Sequence, residues 1–141
     1  MGRRRPQLRE TSIVTKILIV DDDRTMVLAL SVRLRSAGLE VITCQSAHDA
    51  SHVALRERPD VLLLDVDMPH FTGLELHECL RLTERGRRLP VIYVSGSVSP
   101  SDHQIAFRQG AKAFIRKPFD PQTLIDTIRS VLDGRCADSP V

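Results

Sequence analysis

The sequence predicts a single α/β domain in which five parallel β-strands alternate with helices. The chain has 141 residues, about the length of one domain. Five short apolar runs are each followed by a segment whose apolar residues recur at helical spacing. The chain has four Phe, one Tyr and no Trp, so its core is aliphatic, as in a sheet buried on both faces. Strand–helix alternation implies right-handed crossovers and helices on both sides of the sheet.

The first half of the chain predicts two strands and two helices. Lys16 to Val20 is a short apolar run that ends at aspartates, which predicts the first strand. Apolar residues at helical spacing predict a helix over 24–37, and Gly38 suits the position just after its end. A second strand is predicted over 39–43. Ser46 is a typical cap for a helix over 47–57.

The second half repeats the pattern three times. The fully apolar run 61–64 predicts a buried strand, and a helix is expected over 74–85. The run 91–94 predicts the fourth strand. A proline at the first helical position predicts a helix over 101–109. The last two elements are expected at 113–115, a strand, and 121–133, a helix.

Polar residues of three chemical types follow four of the five predicted strands. Asp21 and Asp22 follow the first strand, Asp65 the third, Ser95 the fourth and Lys117 the fifth. The carboxyl ends of parallel strands meet at one edge of a sheet, and ligands of such folds bind there. The sequence therefore predicts one pocket that contains carboxylates, a hydroxyl and an ammonium group.

Such a pocket suits a divalent cation and a phosphoryl group. Two carboxylates about 4 Å apart repel by roughly 4 kcal/mol at an effective dielectric constant near 20, so a counter-charge is expected. Mg²⁺ favours oxygen ligands and keeps an open coordination shell. Asp65 can act as a nucleophile, while Lys117 and Ser95 can hold the phosphoryl oxygens. The expected catalytic residues are therefore Asp65, Ser95 and Lys117.

Four segments resemble the receiver domain of two-component response regulators, the CheY-like family. They are Ile19-Val20-Asp21-Asp22-Asp23, then Leu63-Leu64-Asp65-Val66-Asp67-Met68-Pro69 followed by Gly73-Leu74-Glu75-Leu76, then Val94-Ser95-Gly96, and finally Lys117-Pro118-Phe119. The resemblance covers about Lys16 to Leu132, and both spacings from Asp65 agree with the family. It implies a flavodoxin-like, doubly wound fold with strand order 2-1-3-4-5.

The resemblance also implies the role of each site residue. Asp65 is expected to take a phosphoryl group from a phosphohistidine of a sensor histidine kinase. Mg²⁺, or Mn²⁺ in its place, would bind Asp21, Asp22, Asp65 and the backbone carbonyl of Asp67. Ser95 would then move toward the phosphoryl group and Phe114 would turn inward. Ser95 replaces the more frequent Thr, and Phe114 stands where Tyr is common.

The resemblance implies a signalling protein that catalyses only its own phosphorylation and dephosphorylation. Its expected partners are a sensor histidine kinase or a phosphotransfer protein, and an effector that contacts the fourth helix, fifth strand and fifth helix, about residues 101–133. A phosphorylation-dependent homodimer is also possible. No membrane or direct nucleic-acid contact is expected, and a bacterial cytoplasmic location fits the three scattered cysteines.

Two other functions compete with this one. The chain could be the receiver part of a transcriptional regulator whose DNA-binding output domain is absent. Asp65-Val66-Asp67 also resembles the first motif of haloacid-dehalogenase-type phosphatases. In those enzymes the metal-binding acidic pair comes after the lysine, whereas Asp21 and Asp22 precede the nucleophile here.

Charge and composition predict three regions. Residues 1–10 contain four arginines and one glutamate, a net charge of +3 against +2 for the whole chain. We expect a flexible basic arm over 1–15, the receiver domain over 16–134 and a short tail over 135–141. Four arginines are few for a nucleic-acid contact.

Overall fold

The computed structural model of the chain describes residues 14–68, 72–96 and 100–134. Apart from Val14 and Thr15, the predicted basic arm lies outside the described residues, and so does the predicted tail over 135–141. Among the helices in these three ranges, none combines the length and the apolar character that a membrane crossing requires.

Five parallel strands form one sheet. The strands are β1 (Lys16–Val20), β2 (Glu40–Cys44), β3 (Val61–Asp65), β4 (Val91–Ser95) and β5 (Ala113–Arg116). Their order is β2-β1-β3-β4-β5, and every neighbouring pair is parallel. The predicted doubly wound fold with strand order 2-1-3-4-5 is confirmed. The direction of winding changes between β1 and β3, so a crevice opens at their carboxyl ends.

Helices cover both faces of the sheet. They are α1 (Arg24–Ser36), α2 (Ala47–Glu57), α3 (Gly73–Leu80), α4 (Glu84–Arg88), α5 (Pro100–Arg108) and α6 (Pro121–Leu132). The buried residues of α1 and α6 share one apolar layer with alternate strand residues such as Leu63. Those of α2, α3 and α5 share the opposite layer with residues such as Leu64. The side-chain period of two along each strand therefore supplies both layers.

The prediction of one helix over 74–85 is wrong, because the structure contains two helices there. Helix α3 ends at Leu80, and α4 begins at Glu84. The Thr83 hydroxyl donates to the Leu80 carbonyl at 3.0 Å and accepts from the Gly86 N–H at 2.9 Å. A threonine that bonds to nearby backbone groups in this way competes with the regular helix. The fourth and fifth helices of the prediction correspond to α5 and α6.

Candidate functional site

The structure brings the predicted site residues together at the carboxyl edge of the sheet. Asp65 is the last residue of β3 and Ser95 the last residue of β4, while Asp21 directly follows β1. Lys117 directly follows β5, and its N–H donates to the Ser95 carbonyl at 2.8 Å. Each functional side chain is thus positioned by a strand end, and the sheet register determines how closely they approach.

Three carboxylates form an acidic cluster. Asp21, Asp22 and Asp65 each offer an oxygen, and these oxygens lie within 4.8 Å of one another. Asp21 and Asp65 are buried, at 2% and 4% exposure, whereas Asp22 is exposed. Two backbone groups orient the buried pair. The N–H of Asp23 donates to Asp21 Oδ1 at 2.9 Å, and the N–H of Asp67 donates to Asp65 Oδ1 at 3.1 Å.

Lys117 supplies a counter-charge to this cluster from within the protein. Its Nζ lies 2.9 Å from Asp21 Oδ2 and 3.9 Å from Asp65 Oδ1. The sequence predicts that Lys117 holds the phosphoryl group and that a cation relieves the repulsion between carboxylates. The structure shows that one ammonium group already offsets part of that repulsion, which leaves a net charge of about −2 on these four side chains.

The electrostatic surroundings favour an ionised Asp65 carboxylate beside a cationic Lys117 at neutral pH. Burial raises the pKa of Asp65 to about 6, and the charge of Asp21 adds to the rise. The hydrogen bond from the Asp67 N–H and the charge of Lys117 oppose it. Burial would lower the pKa of Lys117, but the hydrogen bond and charge of Asp21 outweigh burial, so this pKa lies above its usual value. Lys117 therefore keeps its proton, and Asp65 is ionised at pH 7.

Ser95 and Asp67 are linked in the structure. The Ser95 hydroxyl donates to Asp67 Oδ2 at 2.6 Å, a short charge-assisted bond. The Asp67 carboxylate is exposed and does not belong to the cluster of Asp21, Asp22 and Asp65. This position is compatible with the prediction that Asp67 contributes its backbone carbonyl, rather than its side chain, to a metal site.

Phe114, the predicted switch residue, is already buried. Its side chain is 4% exposed and packs edge-to-face against Tyr93, with ring centroids 6.0 Å apart. The inward turn expected from the resemblance is therefore not needed to bury this ring.

A buried polar network lies beside Phe114 and is absent from the sequence-based predictions. Tyr93 is fully buried, and its hydroxyl lies 2.7 Å from Nδ1 of the buried His77. The hydroxyl also donates to Oε1 of Gln109 at 3.3 Å. A signal was present in the sequence: His77 falls on the apolar face of α3 with Gly73, Leu76 and Leu80. A tyrosine inside an otherwise aliphatic strand also requires a hydrogen-bond partner.

A groove of about 490 Å³ begins at Lys117 and runs along α1. Its walls include Met26, Leu30, Pro118 and Phe119, so most of its surface is apolar. The groove therefore lies beside Lys117, the residue that pairs with the acidic cluster.

Comparisons with known proteins agree with one another. The model of the response regulator receiver domain matches residues 17–129. Protein PilH of Pseudomonas aeruginosa is 35% identical over 121 residues, which cover 86% of this chain and 100% of PilH. The alkaline phosphatase synthesis transcriptional regulatory protein PhoP of Bacillus subtilis is 30% identical over 83% of this chain but only 48% of PhoP. The solved structure of the Vibrio cholerae chemotaxis protein CheY4 has a TM-score of 0.79 at 33% identity, covering 84% of this chain and 98% of that chain.

Proposed function

Because the chain belongs to the response regulator receiver family, we propose that Asp65 accepts a phosphoryl group from a phosphohistidine of a sensor histidine kinase or phosphotransfer protein. The observation that carries this proposal is the meeting of Asp65, Lys117 and the Asp21–Asp22 pair at one strand edge. An Asp65 oxygen bonds to phosphorus as the phosphorus–nitrogen bond breaks, and the electron pair of that bond stays on the imidazole nitrogen. The product is an aspartyl phosphate.

The residues of the acidic cluster fit a hard divalent cation, because every side-chain donor in it is a carboxylate oxygen. Asp21, Asp22, Asp65 and the Asp67 carbonyl would hold Mg²⁺, and Mn²⁺ suits the same oxygen ligands. When bound, Mg²⁺ supplies positive charge to the oxygens of the transferred phosphoryl group.

Lys117 and Ser95 complete the reaction site. The Lys117 ammonium group lies between Asp21 and Asp65, where it can donate to a phosphoryl oxygen on Asp65. The Ser95 hydroxyl exchanges its bond to Asp67 for one to the phosphoryl group, and this exchange moves the end of β4. In this role the protein catalyses only its own phosphorylation and dephosphorylation, and it is not an enzyme for a separate substrate.

We assign the phosphodonor and the output to different surfaces of the domain. The apolar groove beside Lys117 is lined in part by α1, and Leu28 and Val32 of the same helix are exposed. A histidine-bearing helical partner that docks there would lie beside Lys117, whose Nζ is 3.9 Å from Asp65 Oδ1. The phosphoryl group adds roughly −1.5 to −2 charge. The response reaches an effector, or a second copy of the chain, through the face of α5, β5 and α6 in a bacterial cytoplasm.

The match to PhoP favours a second candidate function, a receiver that controls a DNA-binding module. The chain spans about half of PhoP, whereas it spans all of PilH. Both functions use the same phosphorylation site and differ only in the output. The neighbouring genomic reading frame distinguishes them, because a DNA-binding module would be encoded in frame with the receiver. The phosphatase alternative gains no support from the family to which the chain belongs.

The variant Asp65→Asn tests the assignment of the phosphoacceptor. With Mg²⁺ and a small phosphodonor such as acetyl phosphate, the wild-type protein is expected to gain one acid-stable, hydroxylamine-labile phosphate per chain. Asp65→Asn retains the size of the side chain but lacks the nucleophilic carboxylate, so uptake should disappear. Intact-mass measurement over time gives the result. Undiminished uptake in this variant would refute the assignment.

The variant Asp22→Ala tests the metal site. Because Asp22 is exposed and joins the cluster only through its carboxylate, its loss should weaken Mg²⁺ binding by about tenfold or more with little cost to folding. Reduced repulsion can even raise the stability of the metal-free protein.

The matched control is Asp23→Ala, since Asp23 caps α1 through the N–H of Met26. It should lower the free energy of unfolding by about 1 kcal/mol and leave Mg²⁺ affinity within about twofold. Isothermal titration and urea unfolding separate the two effects. Intact Mg²⁺ affinity in Asp22→Ala, together with a lower metal-free melting temperature, contradicts the proposed site.

A further inference from the structure

Three elements are joined inside the domain by one hydroxyl group. Tyr93 belongs to β4, His77 to α3, and Gln109 directly follows the end of α5. The Tyr93 oxygen lies 2.7 Å from His77 Nδ1 and 3.3 Å from Gln109 Oε1. Tyr93 is 0% exposed and His77 is 3% exposed, so the contact between these two side chains is shielded from solvent.

The network is uncharged. The phenol has one hydrogen for two partners: Gln109 Oε1 can only accept, whereas His77 Nδ1 donates to or accepts from the phenolic oxygen according to the imidazole tautomer. Burial lowers the pKa of His77 to about 4, which keeps the imidazole neutral at physiological pH. A neutral network with its partners in place is stable inside a core, and losing one member leaves the others unsatisfied.

Both ends of the network lead back to the phosphorylation site. Tyr93 and Ser95 are two residues apart on β4 and therefore point to the same face of the sheet. At the other end, α3 begins at Gly73, which packs directly on the backbone carbonyl of Asp65. Tyr93 is therefore joined to the site directly along β4 and, through His77, by way of α3.

The network also touches the proposed output face. The Tyr93 ring packs edge-to-face on Phe114, its register partner on β5. Gln109 marks the point where α5 ends and the chain turns toward β5. Tyr93 therefore contacts β5 directly and the residue that follows α5.

We propose that Tyr93 is a positioning residue whose hydroxyl ties the end of α5 to α3 in the unphosphorylated protein. The hydrogen bonds of this hydroxyl determine how strongly phosphorylation of Asp65 rearranges residues 100–116, the segment from α5 to β5. This inference rests on the proposed phosphoacceptor function. In this chain Phe114 cannot donate a hydrogen bond, and the phenol of Tyr93 supplies the polar link at the adjacent position of β4.

The experiment is amide hydrogen exchange of residues 100–116, followed by mass spectrometry with and without Mg²⁺ and beryllofluoride, a phosphoryl mimic. The variant Tyr93→Phe keeps the aromatic ring and removes only the hydroxyl. Without the mimic, exchange in this segment should become about threefold faster or more, since one buried hydrogen bond is lost. The difference that the mimic produces should fall to about half or less of the wild-type difference, while phosphate uptake stays within about twofold of wild type.

Two further variants separate coupling from general destabilisation. Ile92→Val, on the same strand but in the opposite apolar layer, removes one buried methylene-sized group. It should speed exchange throughout the domain and leave the response of residues 100–116 to the mimic intact. Gln109→Met removes the amide oxygen that accepts from the Tyr93 hydroxyl, at a half-buried position. This variant should reproduce the effect of Tyr93→Phe.

The outcomes are distinguishable. If Tyr93→Phe and Gln109→Met respond to the mimic as the wild type does, the inference is overturned while the phosphoacceptor function stands. If Tyr93→Phe does not fold, Gln109→Met alone decides between these results. If the wild-type protein neither takes up phosphate nor responds to the mimic, both the proposed phosphoacceptor function and the inference that rests on it are refuted.

Discussion

Lys117→Met is expected to lower the free energy of unfolding of the metal-free protein by about 2 kcal/mol. Two buried carboxylates lose an ammonium group that lies 2.9 Å from one and 3.9 Å from the other. Removing one partner from a buried ion pair costs about 3–5 kcal/mol. The cost is smaller here because the Lys117 side chain is 22% exposed, so solvent screens part of the interaction. The lost charge also leaves the acidic cluster more negative, so Mg²⁺ should stabilise this variant more than it stabilises the wild type.

Urea unfolding with and without Mg²⁺ measures both effects. Lys112→Met is the control, because this exposed lysine lies at the opposite end of β5. It should change stability by no more than about 0.5 kcal/mol and leave the Mg²⁺ effect unaltered. If Lys117→Met unfolds at the wild-type urea concentration, Lys117 is not the counter-charge of the cluster.

Gly73→Ala is expected to lower the free energy of unfolding by about 3 kcal/mol and to slow phosphate uptake by about tenfold or more. A methyl group at Gly73 would overlap the backbone carbonyl of Asp65, whose carbon and oxygen cannot move without displacing the end of β3. The same overlap extends to the Leu64 side chain, 3.1 Å away. The substitution therefore acts on the position of Asp65, the proposed phosphoacceptor, as well as on packing.

Gly96→Ala provides a matched comparison for Gly73→Ala. Gly96 also flanks the site, but an added methyl group there comes no closer than 4.0 Å to the Lys117 side chain. Its effect on stability should stay within about 0.5 kcal/mol. Equal stability losses in the two alanine variants, measured by thermal and urea unfolding, would show that the close approach of Gly73 to Asp65 has no energetic consequence.

The sequence was sufficient to predict the sheet and the grouping of the site residues. Short apolar runs located all five strands to within one or two residues, because a buried parallel strand needs continuous aliphatic sequence. Polar residues that follow parallel strands must meet at one edge, so Asp21, Asp65, Ser95 and Lys117 could be grouped before any distance was known.

The features that the sequence could not predict depend on side-chain distances. The pairing of Lys117 with Asp21 and the bond from Ser95 to Asp67 follow from rotamers at strand ends, which no periodicity encodes. The break between α3 and α4 arises because Thr83 bonds to its neighbours, a local competition that apolar spacing does not reveal. Helix periodicity indicates that His77 is buried. That its hydrogen-bond partner is Tyr93 of β4 follows only from the three-dimensional fold.

The proposed function requires that the side chain at position 65 carries the phosphoryl group. The most direct test treats the phosphorylated wild-type protein with hydroxylamine, which converts an aspartyl phosphate to a hydroxamate, and maps that mass change by peptide sequencing in a mass spectrometer. We expect the hydroxamate at Asp65 alone, and only when both Mg²⁺ and the phosphodonor were present. A hydroxamate at another carboxylate, a phosphate retained on a serine or histidine, or modification that is independent of Mg²⁺ would contradict the claim.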